Sequence, residues 1–309
     1  MLDMVMPVFM QMAVLFLIMA VGYVAGKTKT LTLESNKTLS ILVNCITNPC
    51  TILYASLCTE HALDNAQALQ LLGIAFVIYL CLIIAAFVIV RLIRVPKPLQ
   101  GQYNYMLIFS NLGYMGIPVI RSIYGEAAVF PVAIVVMVFN LVVYTYGIYL
   151  ICGKEGSGGF DWKKLLSPVT VSAIVGMICY LCNVRLSGVA ADAIYTISQI
   201  TTPCAMLIIG CALSNVPFKA VFTNWRLYVV SVLKLLVIPC TVFLCLRGFI
   251  TDKMLLGVIV VLMAMPIATN FTMLSAQYDR DQKLAAASVF MTTLLSVITI
   301  PILAGILNM

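Results

Sequence analysis

Charge is what this sequence has least of. Asp, Glu, Lys and Arg make up 9% of its 309 residues, where a soluble domain carries about 25%. With 63% hydrophobic residues and a mean hydropathy of +1.10, the composition excludes the water-soluble classes. The alternating segments that a membrane β-barrel needs are missing too. The apolar runs have helical length, roughly 20 residues. Histidine is nearly absent: His61 is the single one, which removes histidine-based zinc and proton-relay chemistry. No Asp or Glu lies deep in an apolar run, which argues against a proton relay or a carboxylate-lined sodium site; carbonyl-lined sodium sites stay open. A nucleophile–base set, a metal-ligand cluster and a phosphate loop are lacking, so the reading is no enzyme and no cofactor. The N-terminus, M-L-D-M-V-M-P, has no basic region, and no small-residue cleavage motif ends its first apolar run. That run is read as a retained span and not as a signal peptide.

What is present fits an all-α, multi-pass protein of the cell (plasma or inner) membrane. Ten spans are predicted, approximately Met4–Ala25, Lys37–Leu57, Ala68–Leu92, Tyr103–Ile120, Ala127–Cys152, Leu166–Asn183, Ala191–Leu213, Trp225–Leu246, Met254–Leu274 and Leu284–Leu307. The longest connection, from Lys154 to Lys164, is glycine-rich and divides them five and five. This gives a first repeat over 1–153, a linker over 154–165 and a second repeat over 166–309. Alternate loops differ in basic residues. One set holds Lys27, Lys29, Lys37, Arg91, Arg94, Lys97, Lys154, Lys163, Lys164, Lys219, Arg226, Arg280 and Lys283; the other holds Arg121, Arg185, Arg247 and Lys253. The positive-inside rule puts the first set, with Trp162 and Trp225, on the cytoplasmic side and both termini outside. The net charge of +7 therefore reports orientation in the bilayer and not a nucleic-acid partner. Of the eleven cysteines, most lie in apolar runs, where cysteine behaves as a small hydrophobe. Cys179 and Cys182 form a C-x-x-C on a predicted membrane helix with no histidine nearby, a poor metal or redox site.

The stretch from Tyr103 to Arg121 is apolar yet spoiled as a helix, because Asn111, Gly113, Gly116 and Pro118 fall within it. Glycine costs roughly 1 kcal/mol and proline about 3 kcal/mol in a helix interior. Backbone groups freed in hydrocarbon are tolerated only against protein or a water-lined cavity, so an interrupted span reads either as a binding element or as an inert kink. The second half of the chain echoes the first. Ile46-Thr47-Asn48-Pro49-Cys50 recurs as Ile200-Thr201-Thr202-Pro203-Cys204. Met6-Pro7-Val8 recurs as Ser167-Pro168-Val169, and Pro118 is matched by Pro266 within A-M-P-I-A-T-N. Five spans is an odd number, so the second half inserts upside down. Paired broken spans in inverted repeats point to the solute site of a secondary transporter. Spans four and nine are expected to be broken and to cross, with helix breaks at Pro118, Pro266, Pro49 and Pro203.

The motif F-S-N-L-G-Y-M-G-I-P resembles the fourth span of the auxin efflux carrier superfamily, which includes plant carriers and bacterial malate and malonate permeases. P-C-A-M-L-I-I-G-C-A-L, L-K-L-L-V-I-P and the stretch from Met265 to Ile302 are similar to its seventh, eighth and last two spans. The resemblance implies ten helices in two lobes. Spans one, two, six and seven form a scaffold, through which a homodimer assembles. The remaining spans form a lobe that moves as an elevator, and the family carries organic anions without ATP. The long hydrophilic loop of many plant carriers is missing here, and I-A-T-N after Pro266 departs from their pattern, away from an auxin-like solute.

The expected solute is therefore a small mono- or dicarboxylate. The alternative is a sodium- or proton-coupled carrier of related fold with a different solute. By resemblance, Asn111 contacts the solute; its amide beside unwound backbone could donate to a carboxylate or cap a half-helix. Gly113 and Gly116 open the backbone beside it, and Thr269 and Asn270 are the corresponding polar groups after Pro266. Asn48 could face them from the scaffold or bond helix to helix. Asn140 and Tyr144 lie one turn apart and could share a face. Lys234 is the one charge well inside a span, nine residues past Trp225, so roughly 13 Å deep. Its partner is either half-helix carbonyls or the anion, unless it snorkels to the edge.

Overall fold

The structure is a computed structural model and describes residues 2–58, 63–152, 168–215, 224–278 and 280–306. The linker at 154–165, His61, Trp162 and Lys219 lie outside the described residues. Within them the chain is helical, with no strand beyond an isolated bridge. Helix α1 runs Leu2–Lys27. Helices α2 (Leu33–Leu42) and α3 (Asn48–Leu57) are one rod, joined by a wide π turn, and α4 spans Asn65–Leu92. Helices α5 (Gln100–Ile108) and α6 (Ile117–Tyr124) are separated by an extended segment and a π turn. Helices α7 (Val129–Val142) and α8 (Ile148–Cys152) follow, then α9 (Pro168–Leu181), α10 (Val189–Ser198) and α11 (Thr201–Ser214). Helices α12 (Trp225–Val232) and α13 (Ile238–Leu246) form another rod. Helices α14 (Lys253–Met263) and α15 (Asn270–Gln277) are split, and α16 runs Gln282–Ile306.

Six of these stretches are long and apolar enough to cross a membrane, and shorter apolar helices cover Ala13–Lys27, Pro168–Leu181 and Lys253–Met263. The chain is thus a multi-pass membrane protein. Helix α4 shows how its surface is divided. Ala68, Leu71, Ala75, Tyr79, Leu82, Ala86 and Val90 recur at helical spacing and are buried, while Leu69, Phe76, Val77, Leu80, Ile84 and Phe87 are exposed and equally apolar. Hydrophobicity all round a helix is the mark of a lipid-facing element. Aspartates are used at the helix starts: Asp64, Asp252 and Asp281 each accept a backbone N–H of the following first turn, which satisfies donors that have no intrahelical acceptor.

Helices α1 and α11 touch through small residues. A Cβ at Gly22 would meet the Leu207 carbonyl oxygen at 2.5 Å, and one at Gly210 would meet the Tyr23 nitrogen at 2.7 Å. Glycine here lets two backbones meet where lipid offers no hydrophobic drive to association. Helix α3 meets α11 as well, Thr51 Oγ1 lying 2.9 Å from Thr201 Oγ1.

The prolines act differently from expectation. Pro49 and Pro118 do not break their spans. Each sits two residues after a π turn, Val43–Thr47 and Leu112–Gly116, and Pro239 follows Leu233–Val237 in the same way. Proline lacks an N–H and its ring collides with the carbonyl four residues back; one wider turn relieves the collision and the helix continues. Pro203 is the third residue of α11, just past the interruption between α10 and α11. Only Pro266 lies within a break, the segment between α14 and α15.

Candidate functional site

The first true interruption begins at Phe109, whose backbone is extended (ψ 120°), and ends at Asn111, which starts the next helix. The second covers 264–269. Each supplies what the other lacks. The Asn111 N–H donates to the Pro266 carbonyl at 2.8 Å and the Ala268 N–H to the Phe109 carbonyl at 3.2 Å, an antiparallel bridge centred on Ser110 and Ile267. The Ile267 N–H donates to Thr292 Oγ1 at 3.2 Å. Pro266 fits because its carbonyl is needed and an N–H there is not.

Beside this bridge is a cavity of about 130 Å³. Two helix starts face it, at Asn111–Gly113 and at Thr269–Asn270, together with Asn44 and Asn48 from the α2–α3 rod, Phe139, Asn140 and Tyr144 from α7 and the turn after it, and Pro168 and Val169 of α9. Helix starts carry partial positive charge, so both ends favour an anion, although the Asn111 and Leu112 N–H groups are already bonded to the Pro266 and Ser110 carbonyls. The side chains add polarity without charge, since among the described residues no Lys, Arg, Asp, Glu or His lines the cavity. Tyr105 OH donates to Asn270 Oδ1 at 2.9 Å, Asn44 Nδ2 to Tyr114 OH at 2.6 Å, and Asn140 Nδ2 to Thr170 Oγ1 at 3.0 Å. Three polar atoms of the wall have no partner: Asn111 Nδ2, Ser110 Oγ and Asn48 Oδ1, on residues 3%, 1% and 1% exposed. Buried polar groups are nearly always hydrogen-bonded, so an orphaned set around a cavity points to a polar solute.

Residues 7–304 match the family described as membrane transport protein. The chain belongs to this family, the auxin efflux carriers. It is similar to an uncharacterized transporter of Methanocaldococcus jannaschii, 28% identical over 97% of this chain and 99% of that protein. It is also similar, at 27% identity, to a protein of Rhizobium meliloti described as a candidate malonate transporter, over 62% of each chain. Membrane transport proteins of this family are not enzymes.

In this membrane transport protein, Asn111, Gly113, Thr269, Asn270, Asn48, Asn140 and Tyr144 all come together at the cavity. Two sequence candidates do not. Gly116 is a packing glycine, where a Cβ would press to 2.9 Å from Leu262 Cδ2. Lys234, with no exposed surface, donates to the Leu107 carbonyl at 2.9 Å. That carbonyl belongs to the last turn of α5, the negative end of the half-helix. Of the partners left open for the lysine, the structure therefore provides carbonyls. Sequence reasoning missed Ser110, Asn44, Tyr114 and Tyr105. A signal existed for two of them: Asn44 is one helical turn before Asn48, and Tyr114 is three residues after Asn111, spacings that share a face.

Proposed function

We propose that this chain is a secondary transporter of small organic anions, mono- or dicarboxylates, working by elevator-type alternating access. The observation that carries the reading is the uncharged cavity at the meeting of two half-helix starts, with the orphaned Ser110 and Asn111 donors on its wall. Its size favours a solute of a few heavy atoms: drug-sized pockets run to about 300–1,000 Å³, against about 130 Å³ here. The named relative of Rhizobium meliloti agrees in solute class. In this reading the chain is ten spans in two inverted repeats, 1–153 and 166–309. The broken spans four and nine travel with spans three, five, eight and ten against a dimeric scaffold of spans one, two, six and seven. The glycine seam of α1 with α11 suits a rigid scaffold. The Asn44–Tyr114 and Asn140–Thr170 bonds join scaffold to moving lobe at the cavity.

Uptake of labelled carboxylates into proteoliposomes tests the reading, with sodium and proton gradients imposed separately. Accumulation of malonate or a similar short carboxylate is the expected result. Transport of cations or neutral solutes, with no carboxylate carried, would overturn it. Strict dependence on a sodium gradient would favour the sodium-coupled alternative.

A further inference from the structure

The wall of the cavity limits the charge it can hold. Two helix starts contribute about half an elementary charge each, and the two helix ends on the far side of the breaks contribute about the same with opposite sign. The Lys234 ammonium, held on the Leu107 carbonyl, offsets those ends. What remains is about one positive charge, enough for a monoanion; a dianion would keep one buried charge uncompensated, which is costly. Asn48, an amide that both donates and accepts, lines the same cavity. It is 1% exposed, and its Oδ1 is without a partner. Gly113 keeps the way open, since a Cβ there would meet only Asn48 Nδ2, at 4.0 Å.

We infer that the solute binds as a singly charged species with a neutral polar second end: the carboxylate on the helix starts with Ser110 and Asn111, and the protonated acid or other neutral group on Asn48. For a dicarboxylate this is the hydrogen-dicarboxylate, which brings its own proton through a site with no Asp or Glu among its described lining residues. The inference rests on the carboxylate reading above and sharpens it. The other titratable groups near the site are the Tyr114 and Tyr144 phenols, which ordinarily ionise at about pH 10, the Cys45 and Cys50 thiols on the Asn48 rod outside the cavity wall, and the buried Lys234 ammonium on the Leu107 carbonyl. Deprotonation of that ammonium would weaken every anion alike and is removed by comparing a dicarboxylate with a permanent monoanion.

Binding of malonate, malonamate and propionate to the purified protein, by calorimetry from pH 4.5 to 7.5, tests it. Malonate affinity should fall about tenfold per pH unit above its second dissociation, because only the singly protonated fraction is competent. Malonamate, a monoanion across this range, should follow only the protein's own titration, so the malonate-to-malonamate affinity ratio should carry the fall of about tenfold per pH unit. Asn48→Ala should weaken malonamate about tenfold relative to propionate, which has no second polar end. Malonate affinity that is flat or rises with pH, or malonamate failing where malonate binds, overturns the inference. An unchanged malonamate-to-propionate ratio in Asn48→Ala removes Asn48 from it, and Asn48→Ser repeats that arm if the alanine variant does not fold. If none of the three binds at any pH, the carboxylate reading itself has failed.

Discussion

Asn111 and Lys234 stand on opposite sides of the first break and do different work. The Asn111 amide nitrogen is buried with no partner, so its truncation removes nothing that holds the fold. Asn111→Ala should keep its melting temperature and lose carboxylate binding by about 1.5–3 kcal/mol, the value of a hydrogen bond to a charged group; a thermal-shift titration reads both. Lys234 never reaches the cavity, yet it offsets the helix ends behind it. Lys234→Gln keeps a polar donor at this position while removing the buried charge now held on the Leu107 carbonyl, so the variant should fold. It should bind carboxylates on the order of tenfold more weakly, the scale of a Coulomb term in a partly polarised interior. Wild-type affinity in this variant would show that the ammonium serves packing alone. The lysine was legible in the sequence as a buried charge, but its partner was not. The Leu107 carbonyl is one of many, and only the break two residues later frees it from helical bonding.

Helices in this chain were legible from their apolar runs, because lipid demands a closed set of backbone hydrogen bonds and length does the rest. The breaks were legible only to within a turn. Proline and glycine mark where a helix is weak, yet a proline can be absorbed by a π turn, as Pro49 and Pro118 are. What stops α5 is the pairing of Ser110 with Ile267, a contact across 157 positions (267 − 110) that no local pattern carries. The glycines behave the same way: Gly113 and Gly116 look alike in sequence, while one opens on the cavity and the other packs on Leu262. The seam between α1 and α11 gives the element-scale prediction. Gly22→Leu should strain the contact with the Leu207 backbone and destabilise by about 1–3 kcal/mol, the usual cost of overpacking, measured by thermal unfolding in detergent. Solute affinity per folded molecule should stay unchanged, since neither residue lines the cavity.

Across the whole molecule, the basic residues of alternate loops predict both termini outside. Epitope tags at each end should react with an impermeant reagent in intact cells; protection of both would invert the topology and the direction in which the cavity opens. The bridge between the two breaks also sets an order of assembly. When α5 and α6 enter the bilayer, the Asn111 N–H and the Phe109 carbonyl have no acceptor and no donor until residues 266–268 arrive. During synthesis at about 5–20 residues per second, this leaves the first half waiting for many seconds with open backbone in hydrocarbon. A chain stopped after residue 252 should therefore be cleared by the quality-control proteases of the membrane. Co-expression of residues 253–309 should rescue it, read as steady-state abundance. The segment joining α14 to α15 is in that sense a chaperone carried in the same chain: the nascent protein is vulnerable until that segment has been made.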